Sequence, residues 1–279
     1  MGGLIWLASY PKSGNTWLRA FLAAVTSQMP EQEFDLSALK GFNIQASHYA
    51  CYHPFTEKTP RELTLEDLAA LRPRAHGYMT KARAESVFVK THAYLGESCG
   101  TPLITMDCTA GAIYVVRNPL DVVVSNLTYF NLDVDASIKA IANRGRVTEA
   151  TDNLVIEPIS SWSVNVDSWT RSPHPALHIV RYEDMLDRPL ETFGGIAGFL
   201  GLSPPEAHLR AAIEATSFDR LQSQESEKGF RERSDHQELF FRSGKRDQWK
   251  RELTPEQIRQ VVEDHGETMA RFGYLPEET

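Results

Sequence analysis

Four short stretches of this 279-residue chain gather residue types that handle anions and protons. The first is Ser9-Tyr10-Pro11-Lys12-Ser13-Gly14-Asn15-Thr16-Trp17. Set against the phosphate-loop pattern G-x-x-x-x-G-K-[ST], Gly14 and Thr16 fit, Ser9 replaces the first glycine and Asn15 the lysine. A lysine stands at position 12 instead. Successive backbone N–H groups and a helix N-terminus still face one spot, which favours an anion. Lys12 adds a full positive charge. The lysine that reaches a γ-phosphate is missing, so the cradle suits a shorter anionic chain than a triphosphate. The competing reading is a plain β–α turn shaped by Pro11 and Gly14.

Lys90 and His92 are the second group. Alternation along a strand points them to the same side. Free histidine is largely neutral at pH 7, so His92 can accept a proton from an attacking hydroxyl. Lys90 and Lys12 can neutralise charge that grows on the reacting group. A lone histidine at a strand end is more often a polar surface residue. Third come Arg117, Asn118, Pro119 and Ser125. Arg117 ends a strand, Asn118 can cap the next helix with Pro119 in its first turn, and Ser125 lies roughly two turns along it. A guanidinium fork on phosphate is charge-assisted and bidentate. The alternative partner for Arg117 is Asp121. Fourth, Arg242-Ser243-Gly244 offers a second cation for the same phosphate. Trp17, Tyr182 and Phe218 are aromatic faces on which a purine can stack. Taken singly, each is more often a core residue.

These residues need elements to position them. Leu4–Ala8, Ser86–Val89, Ala112–Val116 and Ala176–Val180 read as short apolar strands. Helical patterns lie between and after them, over 16–27, 65–71, 119–130, 160–171, 189–200 and 205–215. A last helix is capped by Thr254 and Gln257, with Pro255 at its first position and Gly273 past its end. Its apolar face is Ile258, Val261, Val262, Met269 and Phe272. Apolar strands between helices predict an α/β fold, a parallel β-sheet flanked by helices on both faces. Ligands of such sheets sit beyond the carboxyl ends of the strands, where every stretch above falls. Residues 219–248 lack clean periodicity and read as a mobile cofactor or substrate loop, or a solvated charged face. No linker divides the chain, so 1–279 is expected to be a single domain.

Composition narrows the function. Lys and Arg number 29 against 37 Asp and Glu, a net charge of −8, so no nucleic-acid partner is expected. Three cysteines are too few for a disulfide framework or a zinc site. No stretch reaches the ~20 apolar residues of a membrane helix. The opening residues lack a basic signal-peptide region, and Trp6 breaks a myristoylation motif after Gly2. A cytoplasmic location is expected.

Tyr10 to Trp17 resembles the 5′-phosphosulfate loop of the sulfotransferases that use 3′-phosphoadenylyl sulfate (PAPS). Val89-Lys90-Thr91-His92 resembles that family's catalytic-histidine strand end. Val116 to Ser125 resembles its 3′-phosphate motif. Arg181-Tyr182-Glu183-Asp184-Met185 and Thr216-Ser217-Phe218 resemble its adenine-holding segments, and Arg242-Ser243-Gly244 with Trp249-Lys250 its late loop. The resemblance implies a P-loop-like sulfotransferase fold. It implies sulfuryl transfer from PAPS to a hydroxyl or amine, with 3′-phosphoadenosine 5′-phosphate (PAP) as product and no metal. His92, Lys12 and Lys90 would be catalytic. Lys12, Ser13, Gly14, Asn15, Thr16, Trp17, Arg117, Ser125, Tyr182, Thr216, Phe218, Arg242, Ser243 and Gly244 would bind the donor. The acceptor would be a small molecule: a phenol, an alcohol or a natural-product scaffold. Aromatic residues near 42–55 (Tyr49, Tyr52 and Phe55, beside His48 and His53) with Tyr94, Tyr129 and Phe130 read as the lining of its pocket, the 48–55 segment equally as a surface loop.

Some positions depart from the family pattern. Asn15 replaces a commoner threonine, Ser243 replaces a lysine, and Asp247-Gln248-Trp249 replaces Gly-Asp-Trp. The family's dimer motif survives only at Lys250 and Thr254, so no dimer is expected from it. A P-loop kinase or NTPase acting on a small molecule is the alternative. It would need a lysine at position 15 and an acid directly ending a second strand, where this chain has Asn15, Arg117 and Arg181.

Overall fold

Strand β1 (Leu4–Ser9) is apolar on both faces, and it takes the middle of a five-stranded sheet. The others are β2 (Ile44–Gln45), β3 (Val87–Thr91), β6 (Thr109–Val116) and β7 (Leu177–Arg181), in the order β2-β3-β1-β6-β7. β4 (Glu97–Ser98) and β5 (Thr101–Pro102) form a separate antiparallel pair. β1 pairs in parallel with both β3 and β6, and β2 with β3. Parallel pairing buries both faces, which is why these strands read as continuous apolar runs.

The computed structural model describes residues 2–27 and 34–277. The helices are α1 (Asn15–Thr26), α2 (Leu65–Met79), α3 (Pro119–Tyr129), α4 (Val134–Ala142) and α5 (Trp162–Thr170). They continue with α6 (Tyr182–Asp187), α7 (Pro189–Phe199), α8 (Glu206–Ala215), α9 (Phe218–Lys228), α10 (Trp249–Glu252) and α11 (Pro255–Arg271).

The chain divides into two compact units that alternate along the sequence. One comprises Met1–Pro11, Asn43–Val116 and Ala140–Ile179. It holds the strands, β7 beginning in it, and its core includes Leu4, Trp6, Leu7, Ile113, Tyr114 and Trp162, none of which is exposed. Trp6 also spends its indole N–H on Thr109 Oγ1 at 2.9 Å. The other comprises Lys12–Phe42, Arg117–Lys139 and Val180–Thr279. Ala20, Ala23, Leu36, Leu39, Leu221 and Phe241 form a core cluster there, with Trp17 and Phe218 packed against it.

The structure extends or corrects several expected boundaries. α2 runs on through Pro73, past the stop expected at 71. Its N-terminus is held by a capping box between Thr64 and Asp67. β3 reaches Thr91, so Lys90 lies on the strand and His92 just beyond it. Residues 219–228, expected to be irregular, are helical as α9, and the irregular stretch is 229–248. α11 has the expected Thr254–Gln257 capping box, but its fully buried residues are Val261, His265, Thr268 and Met269. Ile258, Val262 and Phe272 are only half-buried.

Candidate active site

The first unit presents a histidine at a strand end. Val87, Val89 and Thr91 are buried along β3, while Phe88 and Lys90 on its other face are half-exposed. His92 follows and is also half-exposed. Its Nδ1 lies 2.7 Å from the main-chain oxygen of Ser9, the last residue of β1. A carbonyl can only accept, so Nδ1 carries the proton and neutral His92 keeps its lone pair on Nε2. The main chain of His92 is held as well. Its N–H donates to Glu157 Oε2 at 3.3 Å, and its oxygen accepts from Asn165 Nδ2 at 2.8 Å.

In the same unit, the aromatic stretch expected to line an acceptor pocket is divided. Tyr52 is buried, whereas His48 and His53 are exposed. Tyr49 spends its hydroxyl on the Lys58 carbonyl at 2.7 Å.

The second unit presents the loop and helix start. Gly14 adopts φ 98°, in the left-handed region. A Cβ there would lie 2.6 Å from Cδ2 of Tyr182, so glycine is required both for the backbone and for the ring beside it. No side chain caps α1, and no acidic residue lies in its first turn. Its leading N–H groups therefore have no cap and point out of the helix start. Ser13 is buried, and its hydroxyl has no hydrogen-bond partner within the protein. Lys12 takes φ 66° and rests its ammonium over Tyr129, 3.6 Å from the ring centre, and over Phe240 at 4.3 Å. Thr16 donates to Glu232 Oε2 at 3.2 Å, and buried Arg19 pairs with the same carboxylate at 2.7 Å. Arg19 also donates to Asn15 Oδ1 at 3.1 Å.

Arg117 donates to the Lys12 carbonyl at 2.9 Å and stacks on Tyr182, 4.5 Å above its ring. A single guanidinium thus ties the loop backbone to an aromatic face in this unit. Asn118 caps α3 through Leu120 N at 3.0 Å, as its position predicted. Glu183 accepts the Asn118 N–H at 3.1 Å and the Tyr274 hydroxyl at 2.6 Å. Burial pushes the Glu183 carboxyl up, and these two donors oppose the rise. Tyr182 also meets Trp17 edge-on at 5.9 Å. The indole N–H of Trp17 is buried without a partner within the protein. Ser125 sits half-buried on α3.

The late loop is anchored by Asp121, the residue weighed as a partner for Arg117. Its carboxylate accepts the main-chain N–H of Asp247 at 2.8 Å and of Trp249 at 3.2 Å. Burial raises the Asp121 carboxyl, with Arg117 and these two N–H groups pulling it back. Asp247 has φ 62°, a conformation that asparagine, aspartate and glycine tolerate best. Aspartate can therefore stand where the family has glycine. Arg242 is exposed and donates to Gln248 Oε1 at 3.2 Å. Gly244, at φ 60°, packs so closely on Phe218 that a Cβ would sit 2.2 Å from the ring. Thr216 is fully buried and spends its proton on the Ala212 carbonyl at 2.7 Å.

Residues 4–273 match the family described as the sulfotransferase domain. The chain is a sulfotransferase. Flavonol 3-sulfotransferase of Flaveria bidentis is 27% identical over 273 residues, covering 92% of this chain and 78% of the relative. Sulfotransferase 1A1 of Rattus norvegicus is 28% identical over 227 residues, 77% of this chain and 65% of the relative. The crystal structure of mouse sulfotransferase SULT7A1 complexed with PAP superposes with a TM-score of 0.64 at 21% identity, covering 96% of this chain and 85% of that one. That likeness gives this sulfotransferase the family's fold.

Sequence motifs pointed to the candidate site residues of this sulfotransferase and gave no holding role to the residues that fix them in place. Glu157, Asn165, Asp121, Glu183, Arg19 and Glu232 all bind site residues or the backbone beside them. Asp121 and Glu183 lie inside quoted motifs, so their place beside Arg117 and Tyr182 was the available signal. Glu157 and Glu232 lie in stretches with no pattern at all.

Proposed function

We propose that the whole chain, 1–279, acts as one sulfotransferase domain that moves a sulfuryl group from PAPS to a hydroxyl or amine of a small acceptor. The observation that carries this reading is the bond from His92 Nδ1 to the Ser9 carbonyl, which leaves Nε2 as a base. Nε2 takes the acceptor's proton while the acceptor oxygen or nitrogen forms its bond to sulfur. The sulfur–oxygen bond to the 5′-phosphate breaks, and PAP leaves with that electron pair. A positioned base of this kind is worth ~10²–10⁴ in rate. Lys12 and Lys90 offset the negative charge on the sulfonate and the leaving oxygen.

The residues suit the donor. Ser13 Oγ is a buried donor without a protein partner, and the start of α1 is uncapped. Ser13, Gly14, Asn15, Thr16 and Trp17 would hold the 5′-phosphate side. Arg117 and Ser125 would take the 3′-phosphate, with Arg242, Ser243 and Gly244 closing over it. Tyr182, Thr216 and Phe218 would bound the adenine. When bound, PAPS supplies the activated sulfuryl group, and the protein needs no covalent intermediate. A relative named for a flavonol supports a phenolic acceptor. Cys51, Cys99 and Cys108 are all unbridged, which fits a reducing, cytoplasmic setting.

The test is an acceptor screen with isotopically labelled PAPS, read by mass spectrometry. Label should appear in phenols or alcohols with PAP formed in equal amount, and EDTA should not reduce it. Turnover of ATP with magnesium, and none of PAPS, would overturn the reading.

A further inference from the structure

Glu157 is a buried carboxylate with no part in the transfer steps above. It is 8% exposed and lies on the segment leading to α5. Its own backbone is locked, since its N–H donates to Thr148 Oγ1 at 2.8 Å and its carbonyl accepts the Thr148 N–H at 2.9 Å. The carboxylate then reaches the end of β3. Oε1 accepts the Thr91 hydroxyl at 2.6 Å, and Oε2 accepts the His92 N–H at 3.3 Å. The Thr91 hydroxyl in turn accepts the Ala93 N–H at 3.0 Å. The Thr91-His92-Ala93 turn is thus held by one acid and one hydroxyl. From the other side, Asn165 grips the His92 carbonyl and is itself fixed by the Tyr114 hydroxyl at 2.7 Å.

A structural acid could be replaced by any acceptor. A buried anion does more, because the N–H it binds belongs to the residue whose ring must become a cation. Neutral imidazole gains one positive charge as it takes the acceptor's proton, and a nearby negative charge favours that change. The groups facing Glu157 are Lys90 on β3, with Arg72 and His76 on α2 and Tyr52 before it. Burial is the largest influence on the Glu157 carboxyl and raises it, and the Lys90 charge pulls it back towards the ionised form. The Thr91 hydroxyl and His92 N–H oppose the rise as well.

We infer that Glu157 is a positioning residue for sulfuryl transfer, fixing the His92 main chain and holding a negative charge beside the base as it turns cationic. This rests on the reading of His92 as that base. The decisive variant is Glu157→Gln, which keeps an acceptor oxygen and removes the charge. The measurements are the pH profile of kcat/KM, the NMR titration of the His92 ring and the affinity for PAP.

The acidic limb of the profile and the His92 titration should both move down by up to about one pH unit, with kcat falling about tenfold and PAP affinity unchanged. Profiles and titrations that superpose on the parent enzyme would overturn the inference. If Glu157→Gln does not fold, Thr91→Val removes the hydroxyl bound to Oε1. It should shift the same limb in the same direction, and Thr91→Ser should restore it. An unmoved limb in Thr91→Val would count equally against the inference. His92→Ala separates the two readings. If it stays active, the base assignment fails and Glu157 falls with it. If it is inactive while Glu157→Gln is unchanged, only the role of Glu157 fails.

Discussion

The carbonyl oxygen of Ser9, at the end of β1, accepts the Nδ1 proton of His92 at 2.7 Å. Since β1 and β3 pair in parallel from Leu4–Val87 to Ala8–Thr91, the register of the sheet itself sets this contact. A shift of one residue would remove the carbonyl and release the tautomer. His92→Ala should therefore lower kcat by ~10²–10⁴. Calorimetry should find PAP affinity nearly unchanged, because no donor-binding group is lost. Full turnover in this variant would exclude a base at position 92.

Arg117 makes two contacts with different requirements, a hydrogen bond to the Lys12 carbonyl and a stack on Tyr182. Arg117→Ala should weaken PAP by about 1.5–3 kcal/mol, the range for hydrogen bonds to charged groups, and leave AMP much less affected. Arg117→Lys should recover only part of the loss, since an ammonium neither stacks nor forks. Binding of the two nucleotides by calorimetry checks this. Equal losses for PAP and AMP would remove Arg117 from the 3′-phosphate.

Gly14 is confined by both its φ of 98° and the ring of Tyr182. Tyr182 is buried under Arg117 and cannot swing clear without breaking that stack. Gly14→Ala should cost about 1–3 kcal/mol of stability from backbone strain and reduce PAP affinity with it. Urea unfolding and calorimetry on the same preparation measure both. A variant as stable as the parent would show that the loop tolerates a side chain there.

Asp121→Ala should unfasten the late loop, because it leaves the N–H groups of Asp247 and Trp249 without their acceptor. Each such loss costs about 1–3 kcal/mol when the group stays buried. Limited proteolysis should cut faster within 229–248. Asp247→Gly should keep the parent's resistance, since glycine adopts φ 62° readily. Asp247→Val should not, being β-branched in the left-handed region. Equal cleavage of Asp121→Ala and the parent would mean that the loop is held elsewhere.

The strands and the loop after β1 were legible because apolar runs, Gly14, Lys12 and His92 each express one local requirement. α9 was not, because of its two buried residues only Leu221 is apolar and joins the core cluster, while Glu225 is a carboxylate. Glu225, 2% exposed, accepts the main-chain N–H of Phe240 at 2.7 Å and Phe241 at 2.8 Å. Gln222 donates to the Phe241 carbonyl at 2.6 Å, and Gln224 to the Phe34 carbonyl at 2.8 Å. A helix that stabilises a loop through its side chains has no apolar period to read. The helix expected over 65–71 continues to Met79 through Pro73, because a proline costs one helical bond and the Thr64 capping box starts the helix firmly. Glu157 and Glu232 act on residues far away in sequence, so no spacing rule reaches them.

His76 gives the protein an acid-sensitive core. It is 2% exposed, meets Trp6 edge-on at 5.0 Å, and its Nδ1 lies 2.8 Å from Thr105 Oγ1 and accepts the Thr105 N–H at 3.4 Å. Protonation there would set a proton against that N–H. Burial foremost, and then the Arg72 charge, hold its pKa down at about 3, while burial holds that of His265 at about 4. Both stay neutral in the fold and take up a proton on unfolding once pH drops below ~6.5. The stability they confer is complete above that pH and lost as pH falls towards their folded values. The loss is about 1.4 kcal/mol per pH unit for each histidine, or about 2 kcal/mol each by pH 5. His76→Phe should be less stable than the parent at pH 8, having lost the Thr105 bond. It should lose less between pH 6.5 and 5, by about the 2 kcal/mol that one histidine accounts for. Urea midpoints at pH 8, 6.5 and 5 decide this, and parallel losses in the two proteins would show that His76 titrates alike folded and unfolded.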